Sequence, residues 1–271
     1  MFRISPERRQ KLMCIEQPHR DKVLRALDVI EPEKYVCYRT CGPITIDGHL
    51  DEPSWQKAPW TRLFGHIEDP EGVPYLATRA KMLWDDKFFY VAAVLEDHDV
   101  WGTFTKRDSP ICAADTDFEV FIDPDDDGLN YMEFEMNALN CVWDLLMDRS
   151  PWWGQGGNGD TGWDYQDVKS AVQVNGTLNA PWIEDKGWTV EIAFDFASMK
   201  PQCISVACPP KPGDQWRLNM SRVDQDRERT YGFDWTWSCV GVYSMHIPEL
   251  YGYIQFSGRQ VGSGEEPFIE K

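Results

Sequence analysis

From about residue 35 the apolar residues of this chain recur at every second position, in short runs broken by turn residues. The clearest pair is DFEVFID and YMEFEMNAL, separated by Pro124-Asp125-Asp126-Asp127-Gly128. In the first run Phe118, Val120 and Ile122 share a face and Glu119 points the other way. In the second, Met132, Phe134 and Met136 oppose Tyr131, Glu133, Glu135 and Asn137. That period belongs to strands, because a helix would need spacings of three and four. The segments YVCYRT, PITIDG, TRAKMLW, FFYVAAVLED, CVWDLLMD, VKSAVQV, GWTVEIAF, WRLNMSRVD and GYIQFS read the same way. Asp85-Asp86-Lys87 is the expected turn between the third and fourth of these. Many short strands with polar turns predict an all-β fold, an antiparallel β-sandwich of jelly-roll-like type over residues 35–257.

The flanks differ. Ser5 before Pro6 is a cap and first-turn pair, and HRDKVLRALDVI sets Val23, Leu24, Leu27 and Ile30 on one face. Residues 1–34 are therefore expected to form a helical arm. Residues 258–271, rich in Gly and Glu, are expected to be a flexible tail.

Composition narrows the partners. A formal net charge of −18 excludes nucleic acid as the main partner and disfavours anionic membranes, both of which need clustered Lys and Arg. It suits neutral sugars or cations such as Ca²⁺. Thirteen Trp is a high count for one domain; some belong to the core, and a surplus suits a sugar binder, because flat aromatic rings are what the C–H faces of a pyranose stack on. The expected partner is an oligosaccharide or polysaccharide, xylan among them, and the expected state is a monomer. No apolar run is long enough to span a bilayer. The first residues show no signal-peptide pattern, so the expectation is a cytoplasmic protein, or an extracellular one if a leader was removed. The eight cysteines lack paired CxxC spacing, and reduced thiols are expected.

With the strands laid out, the order of ITIDGHLDEPSWQKA, TRAKMLWDDKFFYVAAVLED, DTDFEVFIDPD, YMEFEMNALN, GWTVEIAF, WRLNMSRVD, WTWS and MHIPELYGYIQF resembles the family 9 carbohydrate-binding modules. The resemblance covers residues 43–257. It implies a sandwich that holds sugar on one side and does not itself cleave it. It also implies that Glu119, Glu135 and Asn137 occupy polar ligand positions, with Glu135 where the family site has a basic residue. The two Trp rings that clamp a sugar in the family fall here near Cys112-Ala113-Ala114 and near Met245, and neither position is Trp. Trp237 matches a family aromatic close to the ligand loop.

The expected ligand-binding set is therefore Glu119, Glu135 and Asn137, extended by Trp143 and Asp144 of the next strand and by Arg222 from a neighbouring one. Aromatic surface would come from Trp237 and from the Gly-rich loop that carries Trp152, Trp153 and Trp163. Asp123, Asp125 and Asp127 open like a calcium loop, but Phe134 stands where an EF-hand needs its last Glu, so a structural Ca²⁺ at a hairpin turn is the metal reading. Trp84, Trp188 and Trp216 are expected in the core. Two other functions stay open. One is a haem-binding sandwich of the same type, since Met245-His246 could ligate iron. The other is a glycan hydrolase using Glu119 and Glu135, since adjacent strands can offer the carboxylate spacings, roughly 5–9.5 Å, that glycosidases use.

Overall fold

The computed structural model describes residues 19–153, 157–228 and 232–270. Most of the expected arm, residues 1–18, lies outside them. Its described part is helix α1, His19–Val29. Then come β1 (Lys34–Arg39), α2 (Pro53–Lys57), β2 (Gly65–His66), β3 (Thr78–Trp84), β4 (Phe88–Leu95), β5 (Asp117–Asp123), β6 (Leu129–Asn137), β7 (Val142–Arg149), β8 (Gly159–Asp160), β9 (Lys169–Asn175) and β10 (Gly187–Asp195). A helical turn α3 (Phe196–Met199), β11 (Gln215–Gln225), β12 (Gly232–Thr236) and β13 (Gly252–Gln260) complete the chain.

The strands run in the order β8-β7-β6-β5-β11-β13-β1-β3-β4-β10-β9, with β12 and β2 branching from β11. Strand β13 joins the two layers of the sandwich, pairing antiparallel with β11 and parallel with β1. The ladders of β1 with β13 and with β3 are parallel, and the other described ladders are antiparallel. Between the layers, Phe118, Val120, Ile122, Phe134 and Met136 meet Met82, Phe89, Val91, Ile192 and Phe194. Each such side chain contributes roughly 1.5–3 kcal/mol on leaving water. Trp84, Trp188 and Trp216 are in this core, as the pattern predicts, and so is Trp237. Gly252 lets the Trp237 ring approach the strand closely, for a Cβ there would sit 2.6 Å from it.

Three segments differ from the sequence reading. PITIDG forms no strand, because its N–H groups are taken elsewhere: Asp47 N and Gly48 N donate to Glu191 Oε2 at 2.9 and 3.0 Å, and Trp55 Nε1 of α2 donates to Glu191 Oε1 at 2.8 Å. One buried carboxylate replaces a ladder. The stretch after residue 257 is held against the sheet. Strand β13 continues to Gln260, Glu266 N donates to the Tyr38 hydroxyl at 2.8 Å, and Ile269 N donates to Gln255 Oε1 at 2.7 Å. Finally, the outer face of β5 and β6 is covered, and all seven residues of β5 are buried. A second apolar layer lies there, made by Val23 and Ala26 of α1 with Val240, Val242, Met245, Ile247 and Leu250, packed on Phe121 and Tyr131.

Candidate functional site

Strand register brings four acids together beneath that cover. Glu119 of β5 pairs directly with Glu135 of β6, and Asp117 pairs with Asn137. Ser221 of β11 stands opposite Glu119 on the other side and donates its hydroxyl to Glu119 Oε2. Glu133 lies two residues before Glu135 on the same face. These acids are between 0 and 5 % exposed. Asp117 Oδ2, Glu133 Oε2 and Glu135 Oε2 are buried without a hydrogen-bond partner among the described residues. One oxygen each of Asp117, Glu119 and Glu135 lies within 4.8 Å of the other two.

Burial and mutual repulsion raise the acids of this cluster above the usual carboxylate range. Burial first, then Glu133 and Asp234, push Glu119 up to about 8, against the Ser221 hydroxyl, which lowers it. Burial and the charges of Glu119, Glu133 and Asp117 push Glu135 well above the usual carboxylate range. Asp117 rises for the same reasons, burial first and then Glu119. Carboxylic acids held neutral can both donate and accept a hydrogen bond, so the face carries acid groups in two roles.

The two positions that the family resemblance marks as clamps lie about this face. Cys112, half-buried in a short helical turn, has its thiol pushed up by burial and by the charges of Glu135, Glu119, Asp117 and Glu133. Met245 is part of the apolar cover. Sequence reasoning missed the third side. Asp234 of β12 pairs with Val223, on the Ser221 face of β11, and is half-buried. Burial raises it to about 6, while a bond from Tyr243 and the nearby His66 lower it. Tyr243 is 56 % exposed and feels both Asp234 and Glu119. It is thus an exposed ring at the rim of a buried acid cluster. Only the pairing of β11 with β12 reveals this, for nothing in the local sequence around Tyr243 marks it.

Other expected members are elsewhere. Asn137 reaches the face, but its amide is used: Nδ2 donates to Phe104 O and Asp115 Oδ2 at 2.9 and 2.8 Å, and Oδ1 accepts from Leu139 N and Cys141 N. It ties a turn to the loop that carries Cys112. Trp143, half-buried, pairs with Glu135 and shares the face. Its neighbour Asp144 is opposite Phe134 and so turns inward, where Arg107 Nη2 binds both its oxygens at 2.6 Å. Arg222 pairs with Phe118 and also faces inward, fully buried, with Nη2 on Asp97 and Asp224 at 3.0 Å each. The alternation of the strand separates it from Glu119. Trp237, 1 % exposed, has no free ring face for a ligand. Trp152 packs on the apolar cover, and Trp163 stands edge-on to Tyr165 with ring centres 4.6 Å apart, so both anchor the loop. The side chain of Trp153 lies outside the described residues.

The trio Asp123, Asp125 and Asp127 sits at the far end of β5. Asp123 Oδ2 accepts from Gly128 N at 2.9 Å, Asp127 Oδ1 from Leu129 N at 2.8 Å, and Asp125 Oδ2 from Ser205. Asp126, at φ 54°, and Gly128, at φ 71°, make the tight reversal that these bonds fix. The three carboxylates still approach within 4.8 Å of one another.

Residues 46–258 match the sequence profile of the family described as carbohydrate family 9 binding domain-like. A family 9 carbohydrate binding module from Caldicellulosiruptor kristjanssonii, solved in complex with cellotriose, superposes with a TM-score of 0.57 at 16% identity, over 87% of this chain and 99% of that one. A structure of such a module from the same organism with glucose gives 0.55 at 17% identity, over 86% and 100%. No curated protein gives a significant match.

Proposed function

This chain belongs to the carbohydrate family 9 binding domain-like family, and from that premise we propose that it binds carbohydrate without cleaving it, on the acid-lined outer face of β5, β6 and β11. The observation that carries the reading is the set of buried carboxyl oxygens without partners on Asp117, Glu133 and Glu135, beside Glu119. Sugar hydroxyls, each a donor and an acceptor, are the chemistry that would satisfy them. The complexes of similar modules with cellotriose and glucose support a saccharide ligand. The exposed ring of Tyr243 offers a stacking surface where neither clamp position is aromatic. Access requires the cover formed by residues around Cys112 and Met245 to shift, which favours a single sugar ring or chain end over a long chain lying flat.

Cleavage is disfavoured by direction. A glycosidase sets its two carboxyls on opposite sides of the scissile bond, one ionised and one protonated. Glu119 and Glu135 are paired residues that project side by side from one sheet face, and both are shifted upward.

The test is calorimetric titration with xylo-, cello- and manno-oligosaccharides, followed by product analysis of the same mixtures. Binding in the micromolar range or weaker is expected, because each neutral hydrogen bond contributes only about 0.5–1.5 kcal/mol net. Glu119→Gln should weaken it roughly tenfold, about 1.4 kcal/mol. Shortened oligosaccharides that disappear with Glu119→Gln would mean an enzyme. Heat of binding with none of the three glycan classes would remove the proposal.

A further inference from the structure

The same face concentrates acid groups whose negative charge neutral sugar hydroxyls do not balance. Four acids converge there; of the basic side chains nearby, two arginines are committed elsewhere and His246 faces Glu133. Arg222 is on the opposite face, held by Asp97 and Asp224. Arg217, at the end of β11, binds Asp126 and the Tyr251 carbonyl. His246 Nδ1 lies 2.9 Å from the Tyr131 hydroxyl and 4.0 Å from Glu133 Oε2, on the Glu133 side of the group.

We infer that Asp117, Glu119 and Glu135 form a binding site for one divalent cation of calcium's size and hardness. Oxygens bound to one Ca²⁺ at about 2.3–2.6 Å can stand up to about 5 Å apart, and the three carboxyl oxygens lie within 4.8 Å of each other. Acidic clusters are common and prove nothing alone. Here Asp117 Oδ2 and Glu135 Oε2 are completely buried within a group whose carboxyl oxygens lie within 4.8 Å of one another; among the described residues Asp117 Oδ2 has no hydrogen-bond partner, and Glu135 has only the carboxyl of Glu133, another acid. Orphaned buried acceptors are uncommon in native proteins and call for an explanation, a bound ion or water among them. The donor set is all oxygen, which selects a hard cation over zinc or copper. Three residues do not fill the six to eight positions that calcium takes, so water or ligand hydroxyls would complete the shell. Ion binding here does not depend on sugar binding and is measured without any glycan.

The experiment uses the full chain, stripped with EDTA and dialysed, titrated with CaCl₂ by calorimetry near neutral pH. Wild type, Glu135→Gln, Asp117→Asn and Asp125→Asn are compared, each checked for native near-UV circular dichroism. Asp125→Asn controls for ion binding at the Asp123–Asp127 turn. The expected result is a Ca²⁺ isotherm from which Glu135→Gln and Asp117→Asn remove one ion, or weaken it at least tenfold, while Asp125→Asn keeps that ion. If Glu135→Gln does not fold, Asp117→Asn carries the comparison. An isotherm unchanged by either variant, lost only in Asp125→Asn, or absent in wild type at millimolar Ca²⁺ overturns the inference.

Discussion

Replacing Glu119 by Gln should make the metal-free protein more stable, and the gain should grow with pH. Glu119 moves from an ordinary 4.5 to about 8 on folding. The folded protein therefore holds a proton there that the unfolded chain has released. A raised carboxyl leaves stability intact below about 4.5, and stability is lost as pH climbs toward the folded value near 8. At neutral pH the gap is about 2.5 units, or roughly 3 kcal/mol at ~1.4 kcal/mol per unit. Gln carries no such proton and can still accept the Ser221 hydroxyl. Urea unfolding in EDTA at about pH 5, 7 and 8 measures the difference. The Gln variant should be ahead by less than about 1 kcal/mol at the lowest pH and by about 3 kcal/mol at neutrality. Glu119 also raises Glu135 and Asp117, so the difference curve reads position 119 together with its coupling to them, which adds to the gain of the Gln variant. A pH-independent difference, or a less stable Gln variant, would refute the electrostatic reading of the face. With saturating CaCl₂ the order should invert, because the bound ion removes the penalty and Gln removes a ligand.

Glu191→Gln should cost about 2–4 kcal/mol in urea unfolding, because an amide presents N–H groups to donors at Asp47, Gly48 and Trp55. Trp237→Ala should cost about 3–5 kcal/mol, as expected for a buried ring, and any binding loss should follow the loss of folded protein in calorimetry normalised to the folded fraction. Tyr243→Ala, at an exposed position, should weaken glycan titration several-fold while shifting the urea midpoint little.

What could be read from the sequence follows from the range of each interaction. Strand period is local, so β3 to β7, β10, β11 and β13 are visible in the alternation itself, and so is the shared face of Glu119 and Glu135. The same parity rule, applied inside a single segment, separates Trp143 from Asp144, yet only the register with β6 tells which of the two faces the acids. Arg222 shows the limit most clearly. Its parity places it with Trp216, Leu218 and Met220, on the core side, but a guanidinium is inside because Asp224, two residues on along β11, and Asp97, distant in sequence just after β4, receive it. The cover over β5 and β6 is likewise non-local. Val23 and Ala26 meet Val240 and Met245 across most of the chain, and no window of sequence carries that pairing. This cover buries the acidic face that alternation lays out and raises its acids. The chemistry of the site thus comes from two separate sources. Local pattern supplies the acids, and long-range packing supplies the burial that makes them strong candidates for a bound sugar hydroxyl or cation.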